Sequence, residues 1–340
     1  MKKWFERMTR RTALAAALAA AALPAAGMVA GLAAGDAAAQ GKPFTVSVIY
    51  GPDKPQALIW SRFAEIVNEK DPDAFDFNIV TDGALGGEKE TTEGIRLGSI
   101  HGALSTVANL TTWVPDGAVF DMPFMFRDQA HIDKVLTGPI GDEFKALYAD
   151  AGFKVLGFIT YGARHVIAKE PIETPADVEG KKMRVLQSPL HIELWSSLGA
   201  NPTPVPITEA YNALETGVVD YMDMTMSGYH ALKLNEVVPY FSKTAHIYAL
   251  GVMYVGMPFW ESLNAEQQAL FQEAADEAIP YFNELAAAEQ EASLAKTVEA
   301  GVTVVEVDGA VWREAMAPFW ESYAPNVGGI ERIERIVAVE

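Results

Sequence analysis

Phe44-Thr45-Val46-Ser47-Val48-Ile49-Tyr50 is rich in β-branched and aromatic residues and reads as a strand. Gly51-Pro52-Asp53 turns the chain, and Ala57 to Asn68 reads as an amphipathic helix with Leu58, Phe63, Ile66 and Val67 on its apolar face. Phe75 to Val80 is a second strand, ending in Thr81-Asp82-Gly83. Glu88 to Leu97 is a second helix and Gly102-Ala103-Leu104 a third strand. This β-α-β-α-β order predicts a doubly wound α/β unit with a parallel sheet. Ligands of such sheets lie beyond the carboxyl ends of the strands.

Further along, a second set of α/β signals runs from Ala163 to Ala249. Arg164 to Ala168, Met183 to Leu186 and Tyr221 to Met224 read as strands, and Pro189 to Leu198 and Thr208 to Thr216 as helices. Pro202-Thr203-Pro204-Val205-Pro206 is extended, because each proline pushes its predecessor out of helix space. Asn264 to about Val298 is a long helical pattern. Asn264 and Gln267 form a capping-box signature at its start, and Pro280 should bend it in the middle. Two α/β sets and one long bent helix predict two lobes with a cleft between them.

The start of the chain reads as an export signal. Lys2, Lys3, Arg7, Arg10 and Arg11 precede an Ala/Leu-rich stretch from Ala13 to Ala34, and Ala37-Ala38-Ala39 fits a small-residue cleavage site. A membrane anchor is disfavoured by the weak hydrophobicity of that stretch and the cleavage pattern after it. Arg10-Arg11 is the pair that a twin-arginine route would read, although Thr12-Ala13-Leu14 follows in place of a bulky apolar pair. Residues 1–39 are therefore expected to be removed. The remainder has no second long apolar run and is expected not to insert in a membrane.

The net charge is −19. The segment before Gln40 carries five positive and two negative residues, which leaves the remainder at −22. Such a surface repels nucleic acid and anionic lipid. The absence of cysteine excludes disulfides, thiolate metal sites and a Cys nucleophile. No HExxH pair and no Gly-x-Ser-x-Gly elbow occurs, and Gly86-Gly87 is too short for a dinucleotide or phosphate loop. The six histidines are scattered, without metal-ligand spacing. These readings point to no catalytic residues, no metal and no cofactor.

Several stretches carry a family resemblance when taken in order behind the export signal. They are Gly86-Gly87-Glu88-Lys89-Glu90, Asp121-Met122-Pro123-Phe124-Met125-Phe126-Arg127-Asp128, Gly138-Pro139-Ile140-Gly141, Pro175 to Val185, Leu198 to Pro202, and Tyr211 to Asp220. Together they resemble the solute receptors of tripartite ATP-independent periplasmic (TRAP) transporters, of the dicarboxylate-receptor (DctP) type. The resemblance implies a two-lobed periplasmic binding protein fold. Lobe I would be 40–161 plus roughly 250–288, and lobe II 162–249 plus roughly 289–340. It implies a periplasmic, non-enzymatic receptor that captures a small organic carboxylate and hands it to TRAP permease subunits. A binding protein for a sensor or an ATP-driven importer would share the cleft chemistry, and a periplasmic hydrolase or lyase would differ by turning its guest over.

By motif position the main ligand residue of that family is Arg184, which would otherwise be a strand-end Arg paired to an acid such as Glu179, and Arg164 would be a second anion clamp or a structural salt bridge. A guanidinium offers a planar fork that matches a carboxylate. The family's third position, an Asn, is Met224 here, with Thr225 in place of a Pro. That departure points away from a plain C4-dicarboxylate and towards a guest with a less polar tail. Thr106 and Asn109, after the third strand, would bind the polar end of a ligand or cap a helix. Trp195, Tyr221 and Tyr229 would line the cleft or sit in the core. Asp223 would receive a ligand hydroxyl or cation, or be a hydrogen-bonded strand-end carboxylate. His165 is expected to face away from Arg164 as a structural residue.

Overall fold

The first strand of the computed structural model, β1 (Lys42–Ser47), pairs in parallel with β2 (Phe75–Val80) and β3 (Gly102–Thr106). The structure describes residues 41–340; the export segment expected at 1–39 lies outside them. Between β1 and β2 runs α1 (Pro55–Lys70). Pro55 starts it where a missing N–H costs nothing, and Ile59, Trp60, Phe63, Ile66 and Val67 are its buried stripe. Leu58, expected on that stripe, is only half-buried. Helix α2 (Glu88–Arg96) leads into β3, and α3 (Val107–Leu110) follows it directly. Then come α4 (Gln129–Thr137) and α5 (Pro139–Asp150).

The strand expected at Arg164–Ala168 is the last third of a 16-residue strand, β4 (Phe153–Ala168). After it come β5 (Lys182–Val185), α6 (Pro189–Ser197), β6 (Asn201–Pro204), α7 (Ala210–Glu215), β7 (Tyr221–Thr225) and α8 (Met226–Ala231). The prolines of β6 are tolerated because it ends the sheet and pairs only with β5. A second long strand, β8 (Tyr240–Gly256), was not foreseen. The chain continues through α9 (Met257–Glu261), α10 (Ala265–Glu299), β9 (Thr303–Val305), α11 (Gly309–Tyr323) and α12 (Ile330–Val337).

One mixed sheet results, in the order β2-β1-β3-β8-β4-β7-β5-β6, with β9 beside β8. Its centre is the antiparallel pair β4 and β8, in register from Phe153↔Gly256 to Ala168↔Tyr240. β8 meets β3 through Gly251–Val255, whereas β4 meets β7 through Arg164–Ala168. The two long strands thus pass from one half of the sheet into the other. Register shifts at Val155/Gly157, Thr160/Gly162 and Arg164/Val166 bend them at the passage, as bulges do. Gly162 takes φ +100° there, a conformation open to glycine and costly for other residues.

Helix α10 backs both halves, packing on α1, β4 and α8. Its 35 residues correspond to a rod of about 52 Å. Asn264 accepts from the Gln267 N–H at 2.8 Å and Gln267 accepts from the Asn264 N–H, so both orphan donors are satisfied. Phe271, Ala274, Ala275, Ala278 and Phe282 bury its inner face against Phe44, Phe63 and Val67. Burying each such large apolar side chain contributes at most about 1.5–3 kcal/mol. No helix among the described residues is long and apolar enough to cross a membrane.

Candidate functional site

The carboxyl ends of β1, β3, β5 and β7 converge on one cavity, closed behind by the bent part of β4. It holds about 640 Å³ of space between atoms, including the part open to solvent. Ser47 and Tyr50 enter from the end of β1, Glu88 from the first turn of α2 and Thr106 from the end of β3. Arg184 and Leu186 enter from β5, Met224 and Thr225 from β7, and Tyr161 and Arg164 from β4. Placement beyond strand carboxyl ends is where open α/β sheets bind ligands.

Arg184 is 2% exposed, and its Nε donates to the Val205 carbonyl at 2.8 Å. It forms no ion pair among the described residues. Burial, and then the neighbouring Arg164 charge, push its pKa down to about 10, still high enough to keep it charged at neutral pH. A buried guanidinium without a carboxylate is costly, and the cost is met when an anion docks on it.

Arg164 is held differently. Its Nε donates to Asp223 Oδ2 at 2.6 Å, and its Nη2 donates to Asp223 Oδ1 and to the Asp223 carbonyl, both at 2.8 Å. His246 Nε2 lies 3.3 Å from Asp223 Oδ2, and His246 Nδ1 lies 2.8 Å from Thr244 Oγ1. Burial works to raise the Asp223 pKa, but the Arg164 charge and hydrogen bonds outweigh it and hold the carboxyl well below its usual range. Arg164 therefore presents a rigid, largely compensated cation to the cavity, whereas Arg184 presents an uncompensated one. Asp223 itself does not line the cavity.

Glu88 faces this pair from the first half of the sheet and was given no role from the sequence. Its Oε1 accepts from the Thr106 N–H at 2.6 Å; its Oε2 accepts from Thr106 Oγ1 at 3.1 Å and from the Asn109 amide. Burial raises its pKa, against the pull of these three bonds and of Arg184. Thr106 thus lines the cavity and also holds Glu88, while Asn109 holds Glu88 from behind the wall. Gln56 also lines the cavity, and its buried Oε1 has no hydrogen-bond partner among the described residues.

The aromatic expectations end in the core. Trp195 is fully buried, with its ring 6.1 Å from Tyr221, 5.3 Å from His246 and 6.5 Å from Trp312. Tyr221 is fully buried beside it, and the Tyr229 hydroxyl donates to the Val238 carbonyl. None of the three lines the cavity; Tyr50 and Tyr161 do. Tyr161 was hidden because the first part of β4 was not read as a strand. Glu88 carried a usable signal, a carboxylate opening a helix just beyond a strand end. His165 accepts from the Ala245 N–H and sets its ring 5.0 Å from Phe241 at a 45° tilt, away from the cavity. Among the described residues, no cluster of three or more His, Asp or Glu is placed to hold a metal ion.

Residues 46–326 match the model of the bacterial extracellular solute-binding protein family 7, DctP. The chain belongs to that family. Family 7 proteins are solute receptors rather than enzymes. This one is 31% identical over 263 residues to the 2,3-diketo-L-gulonate-binding periplasmic protein YiaO of Escherichia coli K12, covering 77% of this chain and 80% of that one. It is 30% identical to the TRAP periplasmic solute binding protein of Xanthobacter autotrophicus Py2, solved with β-D-galacturonate. The match covers 87% of this chain and all of that one, with a TM-score of 0.83. The TRAP periplasmic solute binding protein of Sulfurospirillum deleyianum DSM 6946, solved with succinate, is 28% identical over 88% of this chain and 99% of that one, with a TM-score of 0.84. The α/β, two-lobed fold expected from the resemblance is the fold of these receptors.

Proposed function

We propose that this family 7 receptor captures a small organic carboxylate in the periplasm and delivers it to the membrane permease of a TRAP transporter. The observation that carries the ligand class is Arg184: buried, charged, facing a cavity and without an ion-pair partner among the described residues. In this reading the guest's carboxylate docks on the Arg184 fork, with Arg164 beside it and Met224 and Thr106 on the walls. The lobes divide where β4 and β8 bend, with 40–161 and 250–288 on one side and 162–249 and 289–340 on the other. Closure is favoured because the guest touches both lobes only in the closed form. Residues 1–39 act as the export signal.

The test is a thermal-shift and calorimetric screen of the protein from Gln40 onward against small organic acids. A guest that binds the folded state raises the melting temperature with concentration. Arg184→Ala should weaken binding by about 2–5 kcal/mol, and Arg184→Lys should also weaken it because the fork is lost. An Ala variant with the parent's affinity would overturn the clamp.

A further inference from the structure

We infer that Glu88 makes this receptor select a carboxylate whose far end carries hydroxyl donors, and reject one whose far end carries a second carboxylate. The inference rests on the carboxylate-receptor reading and names the class of guest within it.

Two acidic groups lie at or behind the cavity wall, in different situations. Asp223 is turned away from the guest and neutralises Arg164. Glu88 lines the cavity and forms no ion pair among the described residues. With Arg164 and Asp223 cancelling, the charges left facing a guest are Arg184 on one side and Glu88 on the other. One guest carboxylate satisfies Arg184. A second has no cation left to meet and stands against a carboxylate, a repulsive element of the kind that sets specificity.

Hydrogen-bond capacity points the same way. An ionised carboxylate only accepts, at about four positions. Thr106 N–H, Thr106 Oγ1 and the Asn109 amide use three at Glu88, leaving one on Oε1. The amide Oε1 of Gln56, on the same cavity, is also an acceptor, buried and without a partner among the described residues. Two waiting acceptors call for donors from the guest, which hydroxyls supply and carboxylates do not. Thr106 and Asn109 fix the Glu88 carboxylate in place, so it cannot swing aside to admit the wrong guest.

The experiment is isothermal calorimetry with the protein from Gln40 onward and three kinds of probe: the hydroxylated monocarboxylates D-galacturonate and D-gluconate, the dicarboxylates succinate and glutarate, and hexanoate, which has no far-end donor. At least one hydroxylated probe should bind about 100-fold tighter than every dicarboxylate and than hexanoate. Glu88→Gln should reduce that preference over succinate to about 10-fold or less. Gln56→Leu, which removes an acceptor without changing charge, should weaken the hydroxylated probe without admitting succinate. Melting curves of both variants establish that they are folded. Succinate, glutarate or hexanoate binding as tightly as the hydroxylated probes would overturn the role of Glu88 and leave the receptor reading standing. An unchanged preference in Glu88→Gln would do the same. If no carboxylate binds at all, the receptor reading falls and this inference falls with it.

Discussion

Arg164 and Asp223 form a two-pronged ion pair across neighbouring strands, with both carboxylate oxygens engaged and both side chains almost completely out of solvent. Such a pair adds little stability over a well-packed apolar pair, but breaking it from one side leaves a bare buried charge. Asp223→Ala should therefore cost about 3–5 kcal/mol in urea denaturation at neutral pH. The double variant Arg164→Met, Asp223→Leu should recover most of that loss. Equal instability in the single and double variants would show that the charge imbalance is not the cause.

Arg184 gives the opposite expectation. It sits in the fold with one backbone acceptor and no ion pair among the described residues. Its replacement by an apolar residue of similar length removes a buried charge. Arg184→Met should raise the melting temperature of the guest-free protein while abolishing carboxylate binding, a trade of stability for activity of the familiar kind. A lower melting temperature in the guest-free variant would mean that the guanidinium contributes to the fold.

Acid stability follows from His165. Its Nδ1 accepts from the Ala245 N–H at 3.2 Å, so the ring must be unprotonated to keep the bond. Burial first, then the charges of His246 and Lys243, push its pKa down to about 3. The unfolded value is about 6.5. A depressed folded pKa means that the stability is fully present above the unfolded value and is lost as pH falls towards the folded one. Asp223 adds a loss of the same sign further down, below the ordinary carboxyl pKa of about 3.9. Melting temperatures recorded from pH 7.5 to 4.5 should fall with acid. His165→Asn, which can still accept from Ala245, should show a shallower fall, and identical slopes would remove His165 from the explanation.

Gly141 is required by space. A Cβ built there would lie 1.9 Å from the Leu136 carbonyl oxygen and 2.5 Å from its carbon, both backbone atoms of the preceding helix. Backbone cannot rotate aside as a side chain tip can. Gly141→Ala should cost about 3 kcal/mol or more, read by chemical denaturation. Gly152→Ala is no suitable control because its φ is +92°; Gly309, with open space around it and ordinary backbone, is the better one.

Much of the frame was legible because its signals are local. β1, α1, β2, α2 and β3 follow from alternation, helical spacing and turn residues within a few positions of one another. The long helix announced itself through Asn264, Gln267 and the Phe271-to-Phe282 spacing. The central strands β4 and β8 were only partly read or not read at all. They are buried on both faces over long stretches, so they lack the polar alternation of a half-exposed strand, and Gly157, Gly162 and Gly251 break the pattern. Arg184 and Arg164 could be placed by motif. That Asp223 belongs to Arg164 could not, since 59 positions separate them and only strand pairing brings them together. Trp195 and Tyr221 turned inward because α6 and β7 pack against α11 and His246, partners that neither residue's own neighbourhood announces.

β4 and β8 have one further consequence. Each belongs to both halves of the sheet, and the pairing between them carries on, past three register shifts, from one half into the other. Neither half could be cut out and expressed by itself, because each would lose strands that the other supplies. Damage at the joint, such as a proline inserted near Gly162, would undo the cavity and both cores in a single event.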